Sequence, residues 1–99
     1  MAHIAIQGPF LVGATHADVT VGTAASTILA AAIVPERRIF VIVQNQSTTA
    51  TVDVILASSG TAGIALAPGT FLQIDNYNGP VRAIATAAAT TVHVAFATA

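Results

Sequence analysis

Apolar and polar residues alternate with a period of two through most of the chain, and the alternation is broken repeatedly by clusters of Gly, Pro, Asn, Ser and Thr. Side chains in a strand point to opposite faces in turn, so this pattern predicts short half-buried strands joined by turns. One stretch departs from it. In Arg37-Arg38-Ile39-Phe40-Val41-Ile42-Val43-Gln44-Asn45-Gln46-Ser47, Ile39, Val41 and Val43 fall on one face and Phe40 and Ile42 on the other. Both faces are apolar, which predicts a central strand held between layers or facing a partner subunit on its second side.

The other elements follow in order. His3-Ile4-Ala5-Ile6 and Phe10-Leu11-Val12 are short β-prone segments parted by Gly8-Pro9, and residues 1–17 read as a candidate N-terminal arm that pairs with a neighbouring subunit. Asp18 to Gly22 alternates as a half-buried strand should. In Ser26 to Ile33 a strand over Thr27–Ala31 competes with a helical turn, because Ala and Leu favour helix and Ser26 suits an N-cap. The strand is preferred, since the segment is short and Pro35 soon ends it.

Thr51 to Ala57 carries Val52, Val54 and Leu56 on one face and is expected to form a hairpin with the central strand through the polar loop Gln46–Ala50. Ile64-Ala65-Leu66 is a short strand before Ala67-Pro68-Gly69, whose Pro-Gly pair suits a type II turn. Thr70 to Asp75 places Leu72 and Ile74 inward. Asn76-Tyr77-Asn78-Gly79-Pro80 carries the strongest turn signal of the chain. Pro80 to Thr86 is the next strand, and after the small-residue bend Ala87–Ala89 the last, Thr91 to Ala97, directs Val92, Val94 and Phe96 to the core. The expected architecture is all-β: a single domain over residues 1–99, a small antiparallel β-sandwich or barrel, jelly-roll-like.

Composition changes this picture in one respect. The chain is 55% hydrophobic and only 7% charged, with a net charge of -1, against roughly 25% charged residues in ordinary soluble domains. Dispersed charge is what keeps small domains apart, so a surface this neutral predicts a subunit that lives in an assembly. Three Arg and no Lys make no phosphate-binding footprint, which argues against nucleic acid. The N-terminus has no basic segment followed by a long apolar core, so a cytoplasmic product is expected. No apolar run approaches the roughly 18 residues of a membrane span, so no membrane partner is expected.

Candidate chemistry is sparse. His3, His16 and His93 lack metal-ligand spacing, and Asp75 is the only carboxylate in a turn that superficially suggests a calcium loop. With no cysteine, no nucleophile elbow and four carboxylates in all, no catalytic residue, metal or cofactor is expected, and the protein reads as a non-enzyme. The residues best suited to a subunit contact are Phe10, Arg37, Arg38, Phe40, Ile42, Tyr77 and Arg82: aromatic or apolar anchors and guanidinium groups.

Three segments carry a family resemblance. They are Arg37–Ser47, Gly63-Ile64-Ala65-Leu66-Ala67-Pro68-Gly69, and Ile74-Asp75-Asn76-Tyr77-Asn78-Gly79-Pro80-Val81-Arg82-Ala83-Ile84-Ala85. In these the chain resembles small β-rich virion proteins of tailed bacteriophages, over about its last two-thirds. The resemblance implies a capsid decoration or cement protein on the virion surface, made in the host cytoplasm, binding the major capsid protein as a homo-oligomer, trimer first. It brings no catalytic residues. The alternative is a head-fibre or tail-associated module that binds carbohydrate or a host surface through Gln46–Ala50 and Asn76–Asn78, although one Tyr and no Trp are a thin aromatic supply for a sugar site.

Overall fold

The structure, a computed structural model, describes residues 14–98, in which all regular structure is β. The strands are β1 (Thr15–Val21), β2 (Ser26–Leu29), β3 (Arg38–Asn45), β4 (Val52–Ile55), β5 (Ile64–Leu66), β6 (Phe71–Asp75), β7 (Val81–Ala85) and β8 (Thr90–Thr98). They form two antiparallel four-stranded sheets, ordered β1-β8-β3-β6 and β2-β7-β4-β5. The pairings are nested: β1 with β8, β2 with β7, β3 with β6 and β4 with β5. Such nesting is the mark of a jelly roll, in which one long hairpin deals its strand pairs alternately to two facing sheets.

Between the sheets lies one apolar layer. Val21, Val41, Val43, Val92 and Val94 of one sheet share it with Ile28, Val52, Val54, Leu66, Val81, Ala83 and Ala85 of the other. Branched side chains fill a pleated surface in one rotamer, and each buried Val or Ile contributes about 1.5–3 kcal/mol. Phe96, Leu72 and Tyr77 close the edges of this layer.

β3 is central as its pattern predicts, flanked by β8 and β6. Val41 and Val43 face the core, while Phe40 and Ile42 join Ile39 and Ala97 in a second apolar cluster. Ile39 was expected beside Val41. A register shift between Arg38 and Phe40 turns it to the other side, as an irregularity at a strand start does.

Elsewhere β2 forms as a strand, not a helical turn. Gly69 takes φ 77° and the Thr70 N–H donates to the Ala67 carbonyl at 3.1 Å, the closure expected of Pro68-Gly69. Asn76 takes φ 56°, the left-handed turn conformation that Asn tolerates. β1 begins at Thr15, inside the segment expected to be an arm; the β-prone segments at residues 3–6 and 10–12 lie outside the described residues.

The expected β3–β4 hairpin does not form. β3 belongs to one sheet and β4 to the other, and the 46–51 loop carries the chain between them. Asn45, fully buried at 0% exposure, makes the crossing. Its amide Nδ2 donates to the Ala50 carbonyl at 2.8 Å and to the Leu66 carbonyl of the opposite sheet at 3.0 Å, and its Oδ1 accepts from the Ser47 N–H at 3.0 Å. A hairpin would have used those backbone groups in a ladder. Here one side chain satisfies them instead.

At the other end of β3, Arg38 is 4% exposed. Its N–H donates to Asn78 Oδ1 at 2.8 Å, Nη1 donates to the Gly79 carbonyl at 2.9 Å, and Nη2 donates to the Ala30 carbonyl. The guanidinium carbon lies 5.4 Å from the centre of the Phe96 ring, so a cation–π contact adds to the carbonyl contacts. Burial lowers the guanidinium pKa from its ordinary value, and Glu36 and then Tyr77 act in the opposite direction. The head group thus ties the 30–37 and 76–80 connections to β3.

Two stability effects are expected in urea denaturation. Asn45→Ala leaves the buried Ala50 and Leu66 carbonyls and the half-buried Ser47 N–H unmatched and lowers stability by about 2–4 kcal/mol; Asn45→Asp, which aims a carboxylate at two carbonyls, lowers it further. Arg38→Met costs about 1–3 kcal/mol by stranding the Gly79 and Ala30 carbonyls, and Arg38→Lys recovers only part of that because an ammonium lacks the fork. Wild-type midpoints for Asn45→Ala or Arg38→Met would remove the assigned role from that residue.

Candidate assembly surfaces

Successive strands run in opposite directions, so the connections sort into two poles. The connections at 22–25, 46–51, 67–70 and 86–89 share one pole, and those at 30–37, 56–63 and 76–80 share the other. Cross-links between connections bear this out: Ala85 N–H donates to Gly22 O and Thr86 N–H to Thr51 O at the first pole, and Ala32 N–H to Asn78 O at the second.

The poles differ in chemistry. The first contains Gly, Ala, Thr, Ser, Pro and Gln and no charged residue or His. It holds a groove of about 340 Å³ between Gln46–Ala50 and Ala87–Thr91. The second carries Glu36, Arg37 and Arg38, with Asp75 and Arg82 close by at the strand ends. Beside those charges project Ile33 and Val34, 80% and 90% exposed. A second groove, about 450 Å³, opens there among Val34, Pro35, Glu36, Arg37, Asn76 and Asn78. Among the described residues the exposed large hydrophobics are Ile33, Val34 and Ile64, and the two most exposed stand together at this loop tip.

Of the residues read from sequence as contact candidates, Phe10 lies outside the described residues. Arg37 is exposed at the second pole. Arg38 and Phe40 are buried within the chain, at 4% exposure each, Arg38 engaged with carbonyls of its own chain and Phe40 in the cluster with Ile39 and Ala97. Ile42 is half-buried in the same cluster. Tyr77 is half-buried, its hydroxyl donating to the Pro80 carbonyl at 2.7 Å and lying where a Cβ on Gly79 would come within 2.5 Å of it. Arg82 donates to the Gly60 carbonyl at 2.8 Å, joining β7 to the 56–63 connection. Sequence reasoning missed the Ile33-Val34 tip, taking Ile33 as the end of the Ser26–Ile33 segment and giving Val34 no role, although two bulky residues directly before Pro35 were the available signal.

The sheet edges differ in their protection. β5 has three residues and β2 four with a register shift, both devices that discourage further pairing. β1 runs for seven residues along the edge of its sheet in unbroken register with β8, with no Pro or Lys. It is the least guarded edge among the described strands.

On the outer face of that sheet, β1 and β8 bring three polar side chains together. Asp18 sits opposite His93 in the ladder, and His16 two pairs further along on the same face, opposite Ala95. His93 Nδ1 lies 2.7 Å from Asp18 Oδ1, and His93 Nε2 lies 2.9 Å from His16 Nδ1. A carboxylate only accepts, so His93 Nδ1 carries the proton; in the neutral imidazole Nε2 is then the acceptor and His16 Nδ1–H the donor. In an Asp–His–nucleophile relay the third position belongs to a hydroxyl or thiol; here an imidazole fills it. The sequence places these residues more than seventy positions apart, and only the β1–β8 pairing joins them.

No protein-family model matches the sequence, and no curated protein does. Among solved structures, a chain from work describing Bacillus endospore appendages that form a novel family of disulfide-linked pili superposes with a TM-score of 0.64. Its identity to this chain is 21%, over 99% of this chain and 94% of that one. The two share a fold across nearly their whole length.

Proposed function

We propose that this protein is a non-enzymatic structural subunit that assembles head to tail into a surface filament. The observation that carries the reading is the unlikeness of the two poles. An apolar tip, Ile33-Val34, projects from one, and a charge-free groove lined by Ser47, Thr48, Thr49, Ala87, Ala88 and Ala89 opens at the other. Unlike surfaces that complement each other at opposite ends give a heterologous contact, which propagates into a filament when the rotation does not close. The low charge supports it, since 7% charged residues leave little repulsion between copies. So does the fold shared with a chain from endospore pili.

Those pili are described as disulfide-linked. This chain has no cysteine, so its filament is held by packing and backbone pairing alone. The β1 edge, the least guarded among the described strands, offers the second kind of contact. A capsid decoration protein is the second reading, favoured by the segments Arg37–Ser47 and Ile74–Ala85 that resemble phage virion proteins; it requires closed oligomers seated on a capsid lattice.

Electron microscopy of the purified protein separates the two. Filaments are expected from the protein alone, unchanged by reductant and dissolved by guanidinium without it. Ile33→Asp with Val34→Asp is expected to abolish them while leaving the circular dichroism spectrum and melting temperature of the subunit unchanged, because both side chains are exposed. A protein that stays monomeric at all concentrations, or filaments indifferent to the double substitution, overturns the head-to-tail contact. Discrete trimers that bind phage heads establish the decoration reading.

A further inference from the structure

We infer that His16 and His93 form a binding site for a divalent transition metal, zinc first, with Asp18 as the outer partner that orients His93. Among the described residues no three His, Cys, Asp or Glu side chains converge as a ready-made cage, and the pair makes an open site whose remaining positions belong to water. Three observations on the outer face of the β1–β8 pair lead to it.

The first is the separation of the two nitrogens, 2.9 Å from His16 Nδ1 to His93 Nε2. Zinc binds imidazole nitrogen at about 2.0–2.1 Å in tetrahedral geometry, which puts two ligand nitrogens about 3.3–3.4 Å apart, so the pair opens by about 0.4 Å on binding. In the metal-free pair the two nitrogens face each other across a hydrogen bond, so on binding each ring swings to turn its lone pair toward one point beside that line; the ring centres are 5.2 Å apart with planes inclined by 33°.

The second is the carboxylate behind one ligand. Asp18 Oδ1 accepts from His93 Nδ1 at 2.7 Å. A carboxylate–histidine–metal arrangement has this form: the outer hydrogen bond fixes the tautomer, leaves Nε2 bare and raises its basicity. The third is access. His16 and Asp18 are exposed, and the His93 side chain retains 30% of its surface, so a hydrated ion reaches the pair without any opening of the fold.

Without metal, the proton on His16 Nδ1 lies between the two nitrogens and holds the pair together as a hydrogen bond. On binding, that proton passes through water to His16 Nε2, and the freed Nδ1 lone pair joins the His93 Nε2 lone pair on the ion. No proton is lost on balance and no redox step occurs. Imidazole favours zinc, copper and nickel over calcium and magnesium, which take oxygen ligands.

Zinc titration of the full chain by calorimetry, with ¹⁵N-histidine spectra, tests the site. His3 lies outside the described residues, so a His3→Ala background confines the readout to the pair. One zinc per chain is expected in that background, with His93 Nε2 and His16 Nδ1 both shifting as ligands. His16→Ala and His93→Ala are each expected to lower affinity at least about 100-fold, and Asp18→Asn by about 10–100-fold, the usual effect of losing an outer partner. His16→Ala and Asp18→Asn alter exposed groups and keep close to the wild-type melting temperature in the absence of metal, and the half-buried His93→Ala is read beside its circular dichroism spectrum so that loss of the ligand is told from loss of the fold. Absence of stoichiometric binding, or binding unaffected by His16→Ala, overturns the site; full affinity in Asp18→Asn overturns the role given to the carboxylate.

Discussion

A jelly roll depends on moving the chain from one sheet to the other without leaving buried peptide groups unpaired. In this protein the severest case is the step from β3 to β4, because it leaves from the most buried strand. Asn45 resolves it with a side chain that has the same donor and acceptor groups as a peptide. Its backbone N–H and carbonyl pair with Thr70 and Gly69, at 2.9 and 3.0 Å, while its amide reaches Ala50, Ser47 and Leu66. One residue therefore joins both sheets and two connections, and the valine layer can close behind it.

Arg38 has the corresponding position at the other end of the same strand. Both devices bury a polar side chain and match it to backbone carbonyls, yet they leave different surfaces above them. Asn45 is neutral and lies beneath connections of Ala, Ser and Thr, so its pole is free of charge. The Arg38 guanidinium needs carbonyls on two sides, and it draws the 30–37 and 76–80 connections inward against β3. The Ile33-Val34 tip stands outside that constriction. The asymmetry between poles thus starts from two ways of anchoring one strand.

Much of the fold was legible in local pattern. The two-faced apolar run of β3, the clean alternation of Val92, Val94 and Phe96, and the Pro68-Gly69 and Asn76 turns all encode their conformation within a few residues. The partner of each strand was not legible, because a period of two says which face is buried and nothing about which sheet receives it. Adjacency suggested a β3–β4 hairpin; Asn45 and the valines of both strands favour opposite sheets. Arg38 illustrates the same limit from the polar side. An arginine beside another arginine reads as a solvated charge, and its burial becomes visible only when Gly79, Ala30 and Phe96, distant in sequence, are brought around it. The Asp18–His93–His16 chain is less legible still, since it exists solely in the register of the first strand against the last.

The sorting of connections by direction has a further consequence for how this sequence tolerates change. Connections that follow odd-numbered strands all open at the charge-free pole, and those that follow even-numbered strands all open at the other. Insertions in the first group alter one end of the subunit and leave the second untouched. A gene for such a protein can remodel its two ends as separate modules, lengthening or decorating one while the strands transmit nothing but position to the other.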